Sequence, residues 1–202
     1  TMRRLLLFAV AVLAFVGCDN LFEEEKVFAL SDNLEIADRV YANIDDEQTR
    51  TYVENGTTLC WNSGDAISVF QPQISNIHYI FEGETGDKGG SFTVADGASH
   101  PQGVTLSARY ALYPYSSSNS ISTSGEITTL LPAVQHYEKN SFGVGANTMV
   151  AVTSSVQDKE FYFKNAVGYL KLKLYGANTT VGSITIEGNN DDKLSGSARV
   201  LA

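Results

Sequence analysis

The stretch GYLKLKLYG, residues 168–176, carries the plainest structural signal in the chain. Leu170, Leu172 and Leu174 alternate with Lys171 and Lys173. A strand turns successive side chains to opposite faces, so this alternation predicts a β-strand with one buried face and one wet face.

Similar runs lie on both sides. NTMVAV (147–152) and EFYFKN (160–165) precede it, and SITIEG (183–188) follows. The NNDD of residues 189–192 predicts a hairpin-like turn into KLSGSARV (193–200). Toward the N-terminus, TRTYVE (49–54) and TTLCW (57–61) flank Asn55-Gly56, a two-residue hairpin turn that tolerates positive φ. DAISVF (65–70) follows the break at Gly64. HYIFEG (78–83) leads through the loop GETGDKGG (83–90) into SFTV (91–94). ARYALYPY (108–115) is aromatic and extended, the Ser-rich SSSNSISTSG (116–125) connects, and EITTLL (126–131) stops at Pro132. About ten short strands with turn signals every ~8–12 residues, and no helical period after residue 50, predict an all-β fold, an antiparallel sandwich or barrel. No internal repeat is present.

The chain has 202 residues, of which 43% are hydrophobic, so it can bury a core without disulfide staples. Its formal net charge is −9. Arg3 and Arg4 are the only charges before Cys18, which leaves 12 basic against 23 acidic residues beyond it. With no basic stripe, nucleic acid is excluded as an expected partner, and the acid reads as a solvated surface.

Residues 1–17 read as a targeting segment. Arg3 and Arg4 form its positive end, and the apolar run Leu5–Val16 is shorter than the ~20 residues a membrane-spanning helix needs. Residues 18–48 are acidic, with Glu23-Glu24-Glu25 and Asp45-Asp46-Glu47. Leu34, Ile36, Val40, Tyr41 and Ile44 fit no clean period, so this part reads as an acidic tether with an uncertain first element. Residues 49–202 make the β domain. Thr1 ahead of Met2, and a strand-like pattern running to Ala202, predict a fragment truncated at its C-terminus.

Cys18 and Cys60 are the only cysteines. In an exported chain one pair would suggest a disulfide. Phe15-Val16-Gly17-Cys18 instead resembles the lipobox of bacterial lipoproteins, with phenylalanine where leucine is usual. The resemblance implies cleavage between Gly17 and Cys18 by signal peptidase II and lipid attachment at Cys18. Several acyl chains anchor stably where one does not. Cys60 is then a lone thiol, with nothing basic beside it to lower its pKa.

Catalytic and metal motifs are sparse. His78, His100 and His136 are isolated, without metal-ligand spacing. The serines of LSGSA sit in no nucleophile elbow, and there is no phosphate loop. The acidic turns at Glu82–Asp87 and Asp191-Asp192 offer oxygen ligands for Ca²⁺ but not in the spacing of a known loop. No cofactor and no metal is expected. Trp61, Tyr110, Tyr113, Tyr115 and Tyr137 could line a platform for stacking sugars, with Tyr113 and Tyr115 on one face of their strand, or else form an aromatic core.

Six stretches occur in an order that resembles one family: WNSGDAISVF (61–70), YALYPY (110–115), LPAVQHY (131–137), GANTMVAV (145–152), FKNAVGYLKLKLYG (163–176) and SITIEGNN (183–190). They resemble the N-terminal domain of the fimbrillin-like lipoproteins of Bacteroidales, the type V pilin and Mfa-like group, over about residues 50–200. The resemblance implies a transthyretin-like, antiparallel Greek-key β-sandwich behind a lipoprotein signal peptide. It implies an outer-membrane lipoprotein exposed at the cell surface, with Asp19 and Glu23-Glu24-Glu25 resembling the surface-export signal. In pilin members an arginine-specific protease removes an N-terminal strand, and the next subunit fills the groove by β-strand addition. Arg39 and Arg50 are the matching candidates. The second sandwich domain of pilins is not within these residues; relatives also use this domain as a membrane-proximal module.

The expected function is therefore non-enzymatic: pilus subunit, pilus anchor or tip, or adhesin stalk in cell adhesion. The alternative is a surface carbohydrate-binding module of a glycan-uptake system, with Trp61, Tyr113 and Tyr115 as its platform.

Overall fold

In EFYFKN the two phenylalanines point inward and Glu160, Tyr162 and Lys164 point out, and RVYANI, EITTLL and GSARVL repeat the alternation. The computed structural model describes residues 35–45, 59–97, 103–138, 141–143 and 145–202. It is all-β, as expected. The strands are β1 (Arg39–Ile44), β2 (Ala66–Gln71), β3 (Ile74–Phe81), β4 (Gly89–Val94), β5 (Tyr110–Tyr113), β6 (Ser120–Ile121), β7 (Glu126–Leu131), β8 (Met149–Val152), β9 (Glu160–Asn165) and β10 (Gly196–Leu201). A single 3₁₀ turn spans Asn189–Asp191. Among the described residues no helix is long and apolar enough to cross a membrane.

Seven strands close into a barrel-like sheet in the order β1-β4-β3-β2-β5-β8-β9, and β10-β7-β6 form a second sheet. The main layer is thus closed, and its β1–β9 pairing is parallel, whereas the sequence pattern pointed to antiparallel pairing throughout.

Two cores follow from this layering. Val40, Ile67, Val69, Phe92, Phe161 and Phe163 fill the barrel around Trp61. Phe70, Leu106, Leu112, Ile127 and Val150 form a second cluster, with Ile121 and Val200 against it. β2, β5 and β8 therefore bury both faces: Ala111 and Ala151 point into the barrel, Leu112 and Val150 toward the second sheet. That double burial explains the unbroken apolar runs YALY and MVAV.

The pairing of β2 with β3 slips between Val69↔Ile77 and Gln71↔Ile74, so β3 carries one extra residue. Asn76 takes the left-handed conformation there, φ 55°, which asparagine tolerates better than most residues. Its amide nitrogen donates to the Ser116 and Ser117 carbonyls at 3.0 and 3.1 Å, pinning the chain after β5.

The alternating stretches GYLKLKLYG and SITIEG are not strands in this structure. Leu170, Leu172 and Leu174 are exposed, so the buried face expected of them is not formed. The cause lies in pairing. β9, the strand just before GYLKLKLYG, already has β8 on one side and β1 on the other. The closed sheet leaves no edge for the next strand to join.

Candidate interaction surface at the N-terminal strand

β1 carries Arg39, one of the two candidate cleavage residues. It lies in the part read as a tether with an uncertain first element. Val40, Ala42 and Ile44 point into the barrel core and Arg39 and Tyr41 point out, a period of two. The short Ala42 is what hid this alternation in the sequence. β1 is wedged between β4, antiparallel, and β9, parallel. Gly89 stands opposite Asn43, and its lack of a side chain leaves room for the Asn43 amide, which donates to Glu160 Oε1 at 3.4 Å.

Arg39 opens the strand. Its guanidinium pairs with Glu82 at 3.5 Å with both side chains about half exposed, an ion pair worth ~0–1 kcal/mol. Glu82 also accepts from Thr93 Oγ1 at 2.6 Å. A cut after Arg39 would leave Val40–Ile44 attached to the barrel. Arg50 lies outside the described residues but follows β1 in the chain, so a cut there would sever β1 from everything after it. Gly17 and Cys18 also lie outside the described residues.

The three rings offered as a sugar platform do not share one exposed face. Trp61 is 1% exposed and sits inside the barrel. Its ring meets Phe92 at 5.1 Å, Tyr113 and Phe163 at 5.4 Å and Phe81 at 6.1 Å, mostly edge-on. Tyr113 is buried beside it. Tyr115 does not share that face; it stacks on His78, ring centroids 3.8 Å apart. Tyr110 is half-buried against the second core, and only Tyr137 is fully exposed.

The remaining polar candidates are engaged locally. Burial beside Tyr115 lowers the His78 pKa. His136 is exposed and His100 lies outside the described residues. In the first acidic turn Asp87 Oδ2 accepts from the Glu84 amide at 2.9 Å, so the carboxylate closes its own loop. Asp191 and Asp192 are exposed in the turn after Gly188. Among the described residues no group of His, Cys, Asp and Glu is placed to hold a metal ion. Cys60 is half-buried and free. Ser197 lies exposed on β10.

Buried polar groups form a framework that sequence reading missed, because many of its bonds join residues about forty or more apart in the chain. Arg109 is buried; Nη1 donates to Gln71 Oε1 at 2.7 Å and Nε to the Val156 carbonyl at 2.8 Å, and burial lowers its pKa. Asn119 donates to Ser68 Oγ at 3.0 Å and the Pro114 carbonyl at 3.1 Å, and accepts from Thr129 Oγ1 at 2.9 Å. The Tyr79 hydroxyl donates to the Ala37 carbonyl at 2.6 Å, and burial pushes its pKa up to about 12. Asp65 accepts from the Tyr113 hydroxyl at 3.1 Å and the Asn62 amide at 2.8 Å. Burial raises the Asp65 carboxyl all the same, and burial together with that carboxylate raises Tyr113.

A shallow groove of about 560 Å³ runs between β8, β9 and β10, lined by Val150, Val152, Tyr162, Lys164, Arg199 and Val200. It carries a mixed apolar and charged wall without converging catalytic groups. No known protein family, curated protein or solved structure matches the chain.

Proposed function

We propose that this chain is a non-enzymatic lipoprotein of the outer membrane and cell surface, of the fimbrillin-like type, serving as a pilus subunit, a pilus anchor or tip, or an adhesin stalk. The observation that carries the reading is Phe15-Val16-Gly17-Cys18 with acid behind it, ahead of an all-β domain that it would tether. The seat of β1 supports it. The first strand of the described residues, held between β4 and β9, is the kind of element that proteolysis can remove and a neighbour's strand can replace. On this reading Arg50 rather than Arg39 is the useful cut, because only Arg50 lies beyond β1. The barrel wall β2-β5-β8 facing the sheet β6-β7-β10 across a shared core is consistent with a transthyretin-like Greek-key sandwich.

Metabolic labelling with a clickable fatty acid tests the anchor. Label should disappear in Cys18→Ala, and label that persists would sink the reading. Digestion with an arginine-specific protease, followed by electron microscopy, separates the roles. Release of the N-terminal strand with formation of a ladder of polymers identifies a subunit; an intact barrel without polymer identifies an anchor or stalk.

A further inference from the structure

The chain just ahead of β1 is held from three strands at once. The Tyr79 hydroxyl on β3 donates to the Ala37 carbonyl at 2.6 Å. The Val94 amide on β4 donates to the Asp38 carbonyl at 3.2 Å. Gln71 on β2 donates to the Glu35 carbonyl at 3.5 Å, and its Oε1 accepts from Arg109 Nη1 at 2.7 Å. We propose that this Tyr79-centred contact is a latch: residues 35–38 must lift from it before β1 can leave the barrel, so Tyr79 sets how readily the strand is released. The use of such a latch rests on the reading of β1 as a strand to be removed.

Burial makes the contact costly to break. Tyr79 is fully buried, and Ala37 lies in the barrel core with Ile36 packed against that core. Lifting Ala37 therefore strands the Tyr79 hydroxyl among apolar side chains, where no bond to water replaces the one lost. Gln71 and Arg109 are buried as well, and the Val156 carbonyl fixes Arg109 at 2.8 Å, so the second hold has a rigid base. The Arg39–Glu82 pair beside them is half exposed and adds little by comparison.

Position makes this a latch rather than one more core bond. β1 has ladder partners on both sides, so it opens by fraying from an end. Its N-terminal end runs directly from Ala37 and Asp38. The bond from Tyr79 comes from β3, which is not a ladder neighbour of β1, so it holds this end independently of the strand's own pairing. A cut at Arg50 leaves residues 35–44 in one piece, which carries both the strand and the carbonyls that the latch grips. Cleavage alone then does not free the strand, because the Tyr79–Ala37 bond has to break in the same step.

Thiol labelling of the full chain in non-ionic detergent measures the opening without protease or lipid. Ala42→Cys, on a Cys18→Ser/Cys60→Ser background, places a buried reporter on β1, and Ala111→Cys places one on β5 in the same core. Tyr79→Phe should speed labelling at position 42 by about 10–100-fold, with little change at position 111. Ala37→Gly loosens the lead-in without touching the barrel wall and should act in the same direction. A role for Tyr79 in general stability alone would speed both thiols together. Equal acceleration at the two positions in either variant, or labelling at position 42 that Tyr79→Phe leaves unchanged, overturns the proposal. The assay needs neither the lipid nor a cut, so its failure is distinct from failure of the fatty-acid label at Cys18.

Discussion

Replacing Trp61 by alanine tests whether this ring is a core element or a binding surface. Truncating a buried tryptophan to alanine costs ~3–5 kcal/mol. Here the ring touches four other aromatics, at 5.1–6.1 Å, which favours the upper part of that range. One feature works the other way: Nε1 is buried without a hydrogen-bond partner, a defect that costs ~1–3 kcal/mol and vanishes with the side chain. The net expectation is a loss of ~2–4 kcal/mol, a large share of the ~5–15 kcal/mol that holds a domain folded. At ~2–4 °C per kcal/mol for a domain of this size, the melting temperature should fall by ~4–16 °C. Trp61→Phe keeps the edge-on contacts and removes the unpaired N–H, so it should cost only ~1–2 kcal/mol.

Trp61 is the single tryptophan. Urea unfolding of the variants is therefore followed by far-UV circular dichroism, and the wild-type fluorescence serves as a separate reporter. A barrel-core tryptophan emits at short wavelength and is shielded from iodide until the chain unfolds. A Trp61→Ala loss below ~1 kcal/mol, or free quenching in the folded protein, would refute the core assignment and restore the ring as a stacking surface.

Three further substitutions probe the framework. Asp65 has a raised pKa, so as pH climbs from 3.8 the unfolded chain ionises first and binds fewer protons than the folded one. Wild type should therefore lose stability relative to Asp65→Asn through that window, and parallel curves of urea midpoint against pH would contradict it. Asn119→Ala removes bonds to Ser68, Pro114 and Thr129 and should cost ~2–3 kcal/mol by the same unfolding assay. Gly125→Ala meets both a φ of 80° and the Tyr110 hydroxyl 2.7 Å from the new methyl, a predicted loss of ~1–2 kcal/mol. Tyr110→Phe should recover part of it.

Local alternation made many strands legible: EFYFKN, EITTLL, SFTV and DAISVF all lie on strands. β1 was hidden because Ala42, a small residue, supplies one of its three inward positions. The Asn55-Gly56 hairpin lies outside the described residues. GYLKLKLYG misled for the opposite reason. Alternation says which faces a strand would present, not whether an edge is free to receive it, and edges are set by residues far away in the chain. The aromatic candidates show the same limit. Tyr113 and Tyr115 are two apart, yet one faces the core and the other stacks on His78, because the chain leaves β5 at Pro114.

That competition for edges yields the last prediction. β1 occupies the side of β9 that a following strand would take if the two formed a hairpin. With Leu170 opposite Phe163 and Leu172 opposite Phe161, across the connection Asn165–Gly168, the leucines would cover the same core that Val40 and Ala42 now cover, and the lysines would face water. The two stretches are alternative occupants of one slot. Unseating β1 with Val40→Asp/Ala42→Asp should therefore let residues 169–174 pair with β9. Amide exchange read residue by residue would show it: protection should fall across Arg39–Ile44 and rise across 169–174. Protection lost from β1 with none gained downstream would mean that the slot selects its occupant by more than alternation, and that the lysine-leucine stretch is held out of the sheet by something other than β1.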